Sequence, residues 1–217
     1  MAEHGLDTTN VTVVPHGNYV GTYPDDISQD DVRRTLGLPD DRLVVLFFGN
    51  VLPYKGVDTL LDVVEDLGEP TVMLVVAGAC PDRDLPGRLQ RLSEQARVRL
   101  HDGRVADDDV QVFLRASDVV CLPFTTITTS GSLVLALSFA KPVVAPRMGG
   151  LNDLPDAVGY FYDHAQAERG LADALRCVVE DRDGLEERGR RGRRFVTSTS
   201  WEEIAIRTCE LYRRAVT

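Results

Sequence analysis

The sequence predicts a doubly wound parallel α/β sheet with a C-terminal helical extension, and three observations predict it. Short apolar runs alternate with amphipathic stretches along the 217 residues, as they do in chains of βαβ units. The run Arg42 to Phe48 is apolar almost throughout rather than alternating, which fits a strand whose sheet is covered on both faces. Two turns, Phe47-Phe48-Gly49-Asn50-Val51-Leu52-Pro53-Tyr54-Lys55-Gly56 and Thr129-Ser130-Gly131-Ser132, place small residues or a lysine where a strand ends and a helix begins. Backbone N–H groups and positive helix termini then face one cleft, an arrangement suited to a phosphate.

Taken in order, Asn10 to Val14 reads as a strand and Arg42 to Phe48 as a second. Lys55 to Leu67 carries Val57, Leu60, Leu61, Val64 and Leu67 at helical spacing. Strand Thr71 to Ala77, helix Asp84 to Ala96, strand Val98 to His101, helix Asp107 to Ala116 and strand Asp118 to Leu122 follow. Helix Gly131 to Phe139 leads to strand Pro142 to Ala145 and a strand near Tyr160 to Tyr162. Helices Ala165 to Val179, Gly184 to Thr197 and Trp201 to Ala215 close the chain.

Composition excludes some classes. A formal net charge of −10 argues against nucleic acid, whose backbone needs a basic face. No apolar run approaches the roughly 20 residues that cross a bilayer, and no leader-like segment opens the chain. The expectation is a cytoplasmic, unprocessed protein. Cys80, Cys121, Cys177 and Cys209 are far apart, without metal or redox spacing. Cys121 and Cys177 lie in apolar patterns typical of buried thiols.

The two turns, with Gly149-Gly150-Leu151 after the second, resemble the nucleotide-sugar-binding half of retaining GT-B glycosyltransferases, the group 1 or family 4 type. In that family Gly-Arg-x-x-x-x-Lys-Gly follows the first strand and the lysine pairs with the donor diphosphate. Here Gly49 to Gly56 keeps the spacing with Asn50 at the arginine position, which removes a charge from the phosphate site. The resemblance implies that Gly49, Asn50, Lys55 and Gly56 bind the donor and that Lys55 assists the chemistry. It also gives Gly103-Arg104-Val105 a place beside the base, with Arg104 and Val105 as contacts through backbone atoms. Thr129, Ser130, Gly131 and Ser132 supply hydroxyls and N–H groups at the second turn. The blander alternatives are a solvated lysine at Lys55 and a plain N-cap at Ser130.

The chain departs from the family at two glutamates. Counting back from Lys141-Pro142, their places hold Ile127 and Leu135, and a leucine cannot accept a hydrogen bond from a ribose hydroxyl. A divergent branch, resembling mannosyl- and glucuronosyl-type transferases, does carry Thr-Ser-Gly-Ser. Asp107-Asp108-Asp109 reads as helix N-terminal charge stabilisation rather than a metal site, so no metal is expected. The donor is a substrate and no separate cofactor is expected.

Met1 to Thr9 reads as the remnant of a helix and linker, 10–198 as the Rossmann-like domain and 199–217 as a terminal helix. The resemblance implies an acceptor-binding domain ahead of Val14-Pro15-His16-Gly17-Asn18-Tyr19, supplied by a longer chain or a partner chain. His16 then reads as a cleft-wall or hinge residue. Arg188, Arg190, Arg191, Arg193 and Arg194 read as a solvated helix face, with peripheral contact to anionic lipid as the alternative. The apolar face of the Trp201 helix is left to be exposed, to fold back or to dimerise. The implied activity is transfer of a hexose or uronic acid from a nucleoside diphosphate sugar to a saccharide or lipid-linked acceptor. A donor-binding or partner subunit without catalysis, and another nucleotide enzyme such as an epimerase, are the alternatives.

Overall fold

A computed structural model describes residues 11–81, 87 and 97–215. Its centre is a sheet of six parallel strands in the order β3-β2-β1-β4-β5-β6. These are β1 Leu43–Phe48, β2 Val72–Gly78, β3 Val98–Asp102, β4 Val119–Cys121, β5 Val143–Arg147 and β6 Gly159–Asp163. Helices α1 Gln29–Leu36, α2 Val57–Leu67, α3 Val110–Ala116, α4 Gly131–Ser138, α5 Ala167–Glu180, α6 Leu185–Thr197 and α7 Trp201–Ala215 surround it.

The apolar run of β1 has the cause that the sequence implied. Leu43, Val45 and Phe47 point into a core closed by α2 and α5, with Leu60, Leu61, Leu171 and Leu175. Val44 and Leu46 point the other way, against Val32, Phe113, Leu114 and Leu137 from α1, α3 and α4. With both faces covered, no position of the strand is left for a polar residue.

The order of winding fixes where ligands sit. From β1 the chain runs outward through β2 to β3, then returns to β4 beside β1 and runs outward the other way to β6. Connections leave β1 and β4 on opposite sides, so a crevice opens at their carboxyl ends, the usual ligand position of such sheets.

Several expectations are corrected. Residues 11–14 form no strand, and Val11 and Val13 are exposed; alternating valines make a strand only where a neighbour accepts their hydrogen bonds. The expected helix Asp84 to Ala96 lies outside the described residues except for Gly87. The helices expected from Lys55, Asp107 and Ala165 begin instead with 3₁₀ turns at Pro53–Lys55, Asp107–Asp109 and His164–Gln166. Helix α1 was not expected. Its cap is clear, since Ser28 Oγ accepts from the Asp31 N–H and Gly37 closes it at φ 62°, but Val32 and Leu36 make too thin an apolar stripe to read. Cys121 is buried, whereas Cys177 is exposed.

Helix α7 has no buried residue. At its start the Trp201 indole lies over Gly17 where a side chain would otherwise be and meets the His16 ring edge-on at 5.1 Å, and Ile204, Thr208 and Leu211 are half-buried along it. No helix among the described residues is long and apolar enough to cross a membrane. The α6 arginines all pair within the chain. Arg190, Arg191 and Arg194 pair with Glu186 or Glu187. Arg193 pairs with Asp25, and Arg188 pairs with Asp181 while stacking on Tyr160.

Candidate functional site

The site is built where β1 stops. Gly49 turns at φ 109°, held by its N–H donating to Ala77 O at 2.8 Å. Its carbonyl presses on Gly78, where any side chain would overlap it. Two glycines side by side thus let the backbone after β1 pack flat against the end of β2.

The lysine comes next. A 3₁₀ turn over Pro53–Lys55 closes with the Gly56 N–H donating to Pro53 O at 3.2 Å, and Gly56 adopts φ 69° before α2. A side chain at Gly56 would collide with Pro123 O. The turn is fastened to the loop after β4 by the Thr125 N–H donating to Tyr54 O at 2.8 Å. Lys55 therefore points back over the end of β1, its ammonium 5.9 Å from the centre of the Phe47 ring. Burial pushes its pKa below the ordinary lysine value, and no carboxylate pairs with it among the described residues. An ammonium that is desolvated, uncompensated and beside a helix N-terminus is stabilised by an incoming anion.

The second turn supplies the opposite wall. Ser130 caps α4, its Oγ accepting from the Leu133 N–H at 3.1 Å, and the Val134 N–H reaches Ser130 O at 3.3 Å. The cap thus occupies two donors and leaves the N–H groups of Gly131 and Ser132 at the open end of the helix. The Ser130 cap that sequence offered as a plain alternative is real, and it orients the turn rather than competing with it. Gly49 joins the two halves: the place its Cβ would occupy is 2.8 Å from Lys55 Nζ and 3.7 Å from Ser132 Oγ. An ammonium and a hydroxyl thus converge on a bare glycine at the switch of the sheet.

Other expected residues fall around this centre. Asn50 is exposed beside it, as is Thr129. Arg104 is exposed and Val105 half-buried beyond Gly103, at the end of β3, two strand positions from β1 and so about 10 Å away. Asp102 shapes that end by accepting from the Cys80 N–H at 2.9 Å. Leu135 is 7 % exposed and packs in the core, so its place faces away from the cleft. Ile127 is half-buried, and its carbonyl is covered by the Gly149-Gly150 turn. Asp107, Asp108 and Asp109 are exposed at a helix start. Among the described residues no group of three or more His, Cys, Asp or Glu is placed to hold a metal ion.

Sequence reasoning gave His16 only a wall and gave Tyr19 nothing, yet both stand at the mouth of α4. The place of a Gly131 Cβ is 3.3 Å from the Tyr19 hydroxyl and 3.5 Å from His16 Nε2. Beyond them a cavity of about 260 Å³ opens among Thr129, Ser130, Leu133, Leu151 and Phe195.

The model of the family described as glycosyl transferases group 1 matches residues 42–181, which runs from β1 through the cleft to the end of α5. The chain belongs to the group 1 glycosyl transferases. Within this family it is 30% identical to a D-inositol 3-phosphate glycosyltransferase of Xylanimonas cellulosilytica, over 98% of this chain and 53% of that protein. It is 34% identical to a GDP-mannose:glycolipid 4-beta-D-mannosyltransferase of Xanthomonas campestris pv. campestris, over 62% of this chain and 41% of the other. The chain thus spans about half the length of the relatives it matches. Among solved structures, Anabaena HepE in complex with UDP superposes with a TM-score of 0.84 at 20% identity, covering 98% of this chain and 60% of HepE. That likeness shows that HepE and this chain share a fold.

Proposed function

We propose that the chain is the donor-binding domain of a retaining glycosyltransferase, taking a sugar from a nucleoside diphosphate sugar to a saccharide or lipid-linked acceptor. The observation that carries this reading is the convergence of Lys55 Nζ and Ser132 Oγ on Gly49. The diphosphate lies across that glycine, with the nucleoside toward Arg104 and Val105. When the bond from sugar C1 to the diphosphate oxygen breaks, its electron pair leaves with the diphosphate, while the acceptor hydroxyl oxygen bonds to C1 and its proton passes to the departing diphosphate oxygen. Lys55 and the Gly131 and Ser132 N–H groups stabilise that charge, so departure proceeds without a metal. HepE is described with UDP and the Xanthomonas relative with GDP-mannose, so both bases belong in the assay. An acceptor domain, in the same polypeptide or in a partner, supplies the rest of the active site.

Calorimetric titration with uridine, guanosine and adenosine diphosphates tests this reading. One of them binds, and Lys55→Ala weakens it by about 1.5–3 kcal/mol, the range for a charge-assisted contact. Chelation of divalent ions leaves the affinity unchanged. Absence of binding to all three overturns the reading.

A second reading, a donor-holding subunit without catalysis, is favoured by Ile127 and Leu135, where no carboxylate reaches the cleft. Donor hydrolysis, or transfer restored by an acceptor-domain partner, excludes it.

A further inference from the structure

We propose that His16 is a further binding residue of this site, donating from Nε2 to the distal phosphate of the bound nucleoside diphosphate; the inference rests on the donor-site reading above. The imidazole is held in one orientation. Its Nδ1 is 2.7 Å from Gly17 O, an acceptor, so Nδ1 carries a proton and donates. One ring edge meets Trp201 at 5.1 Å between centroids, and Tyr19 lies 5.5 Å away on another side.

The segment that carries it is strapped down from several directions. Asn18 is buried, its N–H and Nδ2 both donating to Thr199 O at 3.0 and 2.8 Å, and its Oδ1 accepts from the Val20 N–H. The Tyr19 N–H donates to Ser138 Oγ on α4 at 3.0 Å. A segment with no regular structure is thus fixed to the last turn of α4 and to the chain just after α6, and fixing it sets where the ring points. Nε2 lies 3.5 Å from the place of a Gly131 Cβ and makes no hydrogen bond among the described residues.

The arrangement around α4 is therefore two-sided. Ser132 and Lys55 stand on the flank toward β1, and His16 on the flank toward α7, with the free N–H groups between them. An anion seated on those groups meets a cation from one side and an imidazole from the other. A protonated imidazole has N–H donors at both nitrogens, so it keeps its bond to Gly17 O while reaching the phosphate. The distal phosphate is the one concerned, because the nucleoside extends the opposite way, toward Val105.

Two substitutions separate the two nitrogens. His16→Asn keeps a donor near Nδ1 and removes the reach of Nε2; His16→Gln keeps a donor near Nε2. Calorimetric titration of the full chain uses the diphosphate that binds tightest among uridine, guanosine and adenosine diphosphates, beside the matching monophosphate and Lys55→Ala. His16→Asn is expected to weaken the diphosphate about tenfold, a charge-assisted contact, and the monophosphate less than twofold, while His16→Gln stays within about threefold of the parent for both. Equal affinity in His16→Asn and the parent, with Lys55→Ala still impaired, overturns the role of His16 and leaves the donor site standing. Equal losses for the diphosphate and monophosphate, or equal losses in both His16 variants with a lowered Tm, overturn it in favour of a structural ring. Failure of every nucleotide to bind the parent overturns the donor-site reading and the proposal with it.

Discussion

A side chain would displace the lysine and strain the backbone at Gly49. Its φ of 109° is a conformation that other residues reach only under strain, and Lys55 Nζ stands 2.8 Å from where a Cβ would be. Gly49→Ala should lower stability by about 1–3 kcal/mol and also push the ammonium out of the cleft. Thermal unfolding and nucleotide titration on one sample check both; an unchanged affinity would show that Lys55 does not act at Gly49. Gly49, Lys55 and Ser132 were legible because Gly49 directly follows β1 and the other two lie within two residues of a helix start. The resemblance placed His16 at the cleft wall, but the contacts of His16 and Tyr19 were not legible, since their partners Gly131, Ser138 and Trp201 lie more than a hundred residues away and no local pattern encodes that meeting.

Among the elements, strands with continuous apolar runs were readable from composition alone, and β1, β2 and β5 fall within a residue or two of expectation. What propensity could not supply is the polar hub that joins α1 to the lower end of the sheet. Asp118, just before β4, accepts from Arg33 at 2.6 Å, from the Val44 N–H at 2.7 Å and from Gln29 at 3.1 Å. The Arg33 side chain is only 9 % exposed, so removing its partner leaves a buried charge, and Asp118→Ala should cost about 3 kcal/mol in denaturant unfolding. Lys141 borders the hub, donating to Ser117 O at 2.7 Å. Burial of its ammonium pulls its pKa down to about 8, against the ordinary 10.5. Between those values the unfolded chain binds more protons at this side chain than the folded one, so its contribution makes stability rise as pH climbs from about 8 to 10.5. Denaturant midpoints across that window should increase, and Lys141→Gln should flatten the increase; a slope that survives the substitution assigns it to another group.

For the molecule as a whole, the winding order places all the cleft residues at one end of the sheet and the Asp118 hub at the other. The chain spans about half of the relatives it matches, and in the proposed function its cleft is one wall of the active site. If, as proposed, a further domain holds the acceptor, transfer should depend on adding that domain while nucleotide binding does not. Mixing experiments with that domain, scored for both properties, test the division; binding that appears only in the mixture would overturn it.

The seam between β1 and β4 has a dynamic consequence. Each flank of the sheet is contiguous in sequence, and β1 meets β4 through the paired positions Val45 with Val119 and Leu46 with Val120, against six paired positions between β1 and β2. β4 meets β5 through two paired positions as well, so β4 is held by short borders on both sides and can open locally while the helix layers that join the two units stay packed. In native-state hydrogen exchange the amides of β4 should then report a smaller opening free energy than those of β2. A nucleoside diphosphate gripping Lys55 from one unit and the α4 terminus from the other would act as a staple, slowing exchange along the border more than at the outer strands.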